Sequence, residues 1–191
     1  MSPSKVLPEP IPSLWRQIDG WMVEHAPQVL SGLFPGVTEA EIAALEKSLI
    51  TSGAQRLKLP LEVRQSWRIH NGQSPLAVPL IGDWQLLQLR HILKQWQINQ
   101  ELLESGGFQD NQADSDGSVK PMWWNPRWIP LAYNGAGDLV CLDMDPPEGY
   151  PKGRLITFWH VDARRQILAV SWSAWLAKFA RDLLAGKIHY P

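Results

Sequence analysis

Residues 123–144 read Trp123-Trp124-Asn125-Pro126-Arg127-Trp128-Ile129-Pro130-Leu131-Ala132-Tyr133-Asn134-Gly135-Ala136-Gly137-Asp138-Leu139-Val140-Cys141-Leu142-Asp143-Met144. Arg127 to Ala132 is a short apolar run, and Asn134 to Gly137 is turn chemistry, so the spacing predicts strand, turn, strand. Asp138 to Met144 is apolar at almost every position, which predicts a strand buried on both faces. Asp145-Pro146-Pro147-Glu148-Gly149 cannot extend it, because proline has no ladder N–H. Arg154 to Val161 and Gln166 to Val170 predict two further strands joined by a tight turn at Asp162 to Arg165. A closing helix follows, with Trp172, Trp175, Leu176, Phe179 and Leu183 on one side and Gly186 at its end.

Working back from this meander, the pattern becomes helical. Thr38 and Glu41 are spaced as a capping box, with Val37 and Ile42 as the hydrophobic staple. Ile42, Leu45 and Leu49 continue the apolar stripe to Gly53. Pro60 suits the first turn of another helix, carrying Val63 and Trp67 and stopping at Asn71-Gly72. Ser74 to Ile81 and Trp84 to Leu89, around Gly82-Asp83, predict a hairpin. Residues 90–104 return to helical spacing through Ile92, Leu93, Trp96 and Leu103. Near the start, Leu14, Ile18, Trp21 and Met22 predict a helix with Ser13 as its N-cap. Residues 1–12 hold Pro3, Pro8, Pro10 and Pro12 and read as a flexible lead-in. Residues 105–121 are Gly/Asp-rich and read as a mobile loop within one domain over 13–191. Early helices, later antiparallel strands and a last helix give an α+β class, with a mostly antiparallel central sheet and helices packed around it.

The chain has 191 residues and a formal net charge of −1, so nothing in its overall balance calls for nucleic acid. The charge is unevenly placed. Glu101, Glu104, Asp110, Asp114 and Asp116 follow one another without a Lys or Arg, whereas cations gather toward the C-terminus. Such asymmetry marks solvated faces or a charged partner. The single cysteine, Cys141, lies in an apolar run and reads as a buried small hydrophobe. No apolar leader and no run of 18 apolar residues occurs, which points to a cytoplasmic protein without a membrane span.

Catalytic signatures are missing. One Cys and five scattered His do not give zinc-ligand spacing. Neither a nucleophile elbow nor a phosphate-binding loop is present. No cofactor is implied. Asp143 and Asp145 share a strand face and could hold Mg²⁺ or Ca²⁺, and His160-Val161-Asp162 could pair a base with its orienter. The commoner reading of both sets is as strand-end and turn residues. The chain holds 11 Trp against 3 Tyr and 4 Phe. Trp123, Trp124 and Trp128 could stack on sugars or anchor a partner, or could fasten the preceding loop to the body of the fold.

Four stretches, in order, resemble the SUKH superfamily, in its branch similar to the fungal cell-wall assembly regulator Smi/Knr. They are Pro35 to Leu49, Leu59-Pro60 to Asn71-Gly72, Trp123 to Met144, and Gly153 to His160 with Ala169 to Trp172 and the closing helix. The resemblance implies an α+β domain with a binding role. Bacterial members of that superfamily resemble immunity proteins that neutralise a cognate toxin, often a nuclease. The expectation is therefore a non-catalytic, intracellular protein-binding domain of the immunity type. Trp123, Trp124 and Trp128 would serve as apolar anchors, and Asp138, Asp143, Asp145 and Glu148 would meet a basic partner. Carbohydrate recognition through the Trp-rich segment is the alternative. A metal-dependent hydrolase using Asp143, Asp145 and His160 is a further one.

Overall fold

A five-stranded antiparallel sheet runs in chain order β3-β4-β5-β6-β7, each strand beside its sequence neighbour. Its members are β3 (Gln85–Leu86), β4 (Trp128–Tyr133), β5 (Leu139–Asp143), β6 (Arg154–Phe158) and β7 (Arg165–Ala169). The computed structural model describes residues 9–191, so the first eight residues of the proline-rich lead-in lie outside it. β5 and β6 are buried along their whole length, as the unbroken apolar run of β5 predicts. Cys141 is buried there. β7 forms one edge of the sheet. Asp114 lies on that edge, donating its N–H to the Ala163 carbonyl at 2.7 Å and accepting the Arg165 N–H at 2.9 Å. The turn before Asp138 and the Pro-Pro segment after Asp145 interrupt the ladder where expected.

The helices are α1 (Ile11–His25), α2 (Pro27–Leu30), α3 (Glu39–Ser52), α4 (Leu61–Trp67), α5 (Leu89–Glu104) and α6 (Trp172–Leu184). α1 packs on α4 and α6, α6 on β6 and β7, α3 on α5, and α5 on β4. α3 begins with the expected reciprocal cap: Thr38 Oγ1 accepts the Glu41 N–H, and Glu41 accepts the Thr38 N–H. α6 is capped by Ser171, whose Oγ accepts the Ala174 N–H at 3.1 Å. The Ser13 cap is not formed. α1 starts at Ile11, just after Pro10, and Ser13 Oγ instead donates to Glu9 at 2.7 Å. Proline at the helix entry fixes φ in advance, so the start moves upstream of the serine.

Two expectations near the middle change. The helix expected to run to Asn71-Gly72 ends at Trp67, and His70–Gln73 forms β2, paired with β1 (Leu33–Pro35) in a second, two-stranded sheet. Gly36 makes this approach possible, because a Cβ there would lie 2.0 Å from the Arg68 carbonyl oxygen. The hairpin around Gly82-Asp83 shrinks to one bridge between Ile81 and Trp84, and β3 pairs with β4 instead. The buried Gln73 replaces the missing strand partner: its Oε1 accepts the Leu80 N–H at 3.1 Å and the Leu86 N–H at 3.0 Å. A side-chain amide thus closes backbone bonds that a ladder would otherwise supply.

Candidate functional site

The residues singled out by sequence divide between the two ends of the β5–β6 ladder: Asp143, Asp145 and Trp128 lie at the end where Asp143 faces Arg154, and Asp138 and His160 lie at the other, beside Leu139 and Phe158. Asp143 and Arg154 are directly opposite in the β5–β6 register. Neither side chain reaches solvent, and Arg154 Nη2 donates to Asp143 Oδ2 at 3.1 Å and to the Ser118 carbonyl at 2.6 Å. The guanidinium lies over the Tyr150 ring, 4.6 Å from its centroid. Burial pushes the Asp143 carboxyl above its ordinary range, against the pull of the Asp145 N–H and Arg154.

Asp145 is a hub of a different kind. It accepts from Lys120 Nζ at 2.7 Å, Asn125 Nδ2 at 2.9 Å and Arg127 Nη1 at 3.3 Å. Burial acts to raise this carboxyl, but Asn125 and Lys120 outweigh it and hold it below the ordinary value. Asp138 accepts the His160 N–H at 3.0 Å, the His160 ring at 2.8 Å and Asn134 Nδ2 at 2.7 Å. Burial again opposes, and those bonds win, so Asp138 also lies low. The imidazole partner is therefore Asp138, across the sheet, and not Asp162, which pairs with Arg164 at 2.7 Å. Gly137, at φ 107°, lets the ring approach, since a Cβ there would be 2.9 Å from it. Of the four acidic positions, only Glu148 is exposed.

The tryptophans are corrected in the same way. Trp124 and Trp128 are 1% and 0% exposed, and each meets another ring edge-on: Trp124 with Trp128 at 6.2 Å and with Phe158 at 5.4 Å. Trp123 is half-buried, and one face carries the Arg165 guanidinium at 4.8 Å. That guanidinium also lies 4.7 Å from the centroid of the Phe158 ring. Burial pulls Arg165 down to about 10, so it stays charged at neutral pH. It donates to the carbonyls of Asp162 and Arg164 at 2.8 Å and of Trp123 at 3.0 Å. The Trp run fastens residues 105–121 to the sheet, with Val119 buried beneath. No sugar platform and no pair of apolar anchors is left at Trp124 and Trp128. Among the described residues, no group of three or more His, Cys, Asp and Glu side chains is placed to hold a metal.

A cavity of about 270 Å³ between α5 and β4 was not signalled as a site by motif. His91, Lys94, Gln95 and Tyr133 ring it above Leu86 and Leu87. The sequence carried one sign of it. Arg90, His91 and Lys94 open a helix with no acidic residue in its first turn, against the helix dipole.

The SMI1 / KNR4 family (SUKH-1) pattern matches residues 36–178, from just after β1 to the middle of α6. The chain belongs to the SMI1/KNR4 family. Relatives of this SUKH-1 domain include the cell wall biosynthesis/cell cycle regulator smi1 of Schizosaccharomyces pombe, 29% identical over 96% of this chain and 38% of its own. The glucan synthesis regulatory protein of Neurospora crassa is 27% identical over 93% of this chain and 39% of its own. The cell wall assembly regulator SMI1 of Saccharomyces cerevisiae is 26% identical over 90% of this chain and 40% of its own. The chain thus spans about two fifths of the length of these relatives, whose names are those of regulators. Among the described residues, no helix is long and apolar enough to cross a membrane.

Proposed function

We propose that this chain is a non-catalytic domain that works by binding a protein partner. The observation that carries the reading is how the fold uses its chemically capable groups. Asp143 is spent on Arg154, Asp145 on Lys120, Asn125 and Arg127, and Asp138 on the His160 turn. Catalytic groups need a free face toward a substrate, and these are committed to internal struts. The names of the three relatives given above, each that of a regulator, support the same reading.

Two partner classes are compatible with a binding domain. Alignment along nearly the whole chain with fungal cell-wall regulators favours a regulatory module that docks on a larger assembly. The resemblance to immunity members of the superfamily supports neutralisation of a cognate toxin. In either case the contact must use other residues than the buried Trp124, Trp128 and Asp143. Affinity capture with the intact chain, followed by reconstitution with purified partner, tests the binding role; a chain that forms no stoichiometric complex would refute it. Co-expression with a neighbouring toxin gene separates the classes. Rescue of growth selects the immunity role, and unrescued growth without complex formation removes it.

A further inference from the structure

The cavity between α5 and β4 combines size, chemistry and unspent hydrogen-bonding capacity. At about 270 Å³ it falls below the roughly 300–1,000 Å³ of sites that enclose a whole small-molecule ligand. A side chain fits within it. Its lining divides into two kinds of polar group. The amides of Gln73 and Gln85 are already committed: Gln73 Nε2 donates to the Val78 carbonyl at 3.0 Å, and Gln85 Nε2 to the Ala77 carbonyl at 2.7 Å. They shape the wall. By contrast, the Lys94 ammonium, the His91 ring, the Gln95 amide and the Tyr133 hydroxyl make no hydrogen bond or ion pair among the described residues.

These four groups offer mostly donors. Lysine brings three N–H bonds and no acceptor, and a tyrosine hydroxyl and an amide each bring a donor. No carboxylate lines the cavity. Burial first, then Arg90 and Lys94 beside it, lower the His91 pKa. Lys94 leaves the lining with a net positive charge, and the start of α5 adds the positive end of its dipole. Leu86 and Leu87 form an apolar floor suited to a methylene stem. The one permanent cation in the lining matches a monoanion rather than a dianion.

We propose that this cavity receives a side-chain carboxylate from a protein partner, with Lys94, Tyr133 and Gln95 as its donors and Leu86 and Leu87 beneath the stem. This rests on the protein-binding reading above and adds the chemistry of one contact. Neither member of the buried Asp143–Arg154 pair lines this cavity.

Titration of the isotope-labelled intact chain, followed by amide resonances, tests it with acetylated, amidated pentapeptides of sequence Ala-Leu-X-Leu-Ala. X is glutamate, glutamine or phosphoserine. The glutamate peptide is expected to shift His91, Lys94, Gln95 and Tyr133, and the glutamine peptide to bind about tenfold more weakly, since charge-assisted bonds are roughly twice as strong as neutral ones. Lys94→Ala should remove that margin and leave glutamine-peptide binding unchanged. Tyr133→Phe, which costs no internal bond, should weaken the glutamate peptide by about threefold. Unmoved resonances at millimolar glutamate peptide, equal binding of the glutamine peptide, or tighter binding of the phosphoserine peptide would each overturn the proposal. Because partner capture is read separately, failure here leaves the binding role itself standing.

Discussion

Replacing Arg154 by methionine isolates what the buried ion pair does. The substitution keeps an unbranched apolar stem and removes the charge opposite Asp143. At 3.1 Å, and with the effective dielectric of about 20 that suits protein sites, the lost attraction is roughly 5 kcal/mol. Measured losses on breaking buried pairs run at about 3–5 kcal/mol, because the remaining charge stays desolvated. The bond to the Ser118 carbonyl and the Tyr150 stacking go as well. A cost of about 4 kcal/mol at pH 7 is therefore expected, a large part of a typical domain's stability. The cost should depend on pH. Burial already raises the Asp143 carboxyl, and without Arg154 it rises further. A group whose folded pKa is raised favours the fold below its unfolded value and loses that contribution as pH rises through the folded value. The variant should thus be least damaged near pH 4 and most damaged at neutrality. Asp143→Asn in the same chain removes the stranded charge and keeps an acceptor for the Asp145 N–H, so the double variant should recover most of the loss. Urea unfolding at several pH values, checked for constant slope, measures all three. A single-variant cost under about 1 kcal/mol, a cost flat with pH, or a double variant no better than the single would refute the reasoning.

Other expectations are simpler to check. Trp124→Ala should cost about 3–5 kcal/mol in urea unfolding, as for a buried ring and not a surface anchor. Gly36→Ala should lower the thermal midpoint, at about 1–3 kcal/mol, because the added methyl meets the Arg68 carbonyl and no side chain can swing away. Asp138 and Asp145 have depressed folded values, so the stability they contribute is present above the unfolded carboxyl value and lost as pH falls through the folded one. The urea midpoint should therefore drop below about pH 4, and less steeply in Asp145→Asn.

What the sequence made legible was local. The capping box at Thr38 and Glu41, the apolar run of β5 and the stripe of α6 are short-range patterns whose physics acts within one element. What it hid depends on distant partners. β1 and β2 are brief and lack alternation, and they pair only because Gly36 and Arg68 can approach. The tryptophans were ambiguous because an indole suits a core as well as an interface. Inside, Trp15 Nε1 donates to Ser66 Oγ at 2.8 Å and Trp96 Nε1 to the Pro126 carbonyl at 2.8 Å. The acidic residues misled for a related reason, since their cations lie far along the chain. One clue was available: β5 and β6 each carry a single charged residue at one end, with opposite signs, among apolar neighbours. In an antiparallel pair those ends coincide, so Asp143 and Arg154 could have been matched from register alone. The His160 partner carried no such clue.

The packing of α1 against α6 has a consequence for how the chain is made. Leu14, Ile18 and Met22 are buried on α1, which ends at His25, while Phe179 and Leu183 are buried on α6, which begins at Trp172, so the whole sheet is translated between the two halves of this contact. Until α6 has been made, α1 lacks that cover, and the nascent polypeptide presents a greasy stripe to solvent or to a chaperone. A ribosome stalled shortly before Trp172 should hold a chain that proteases still digest, however complete its sheet.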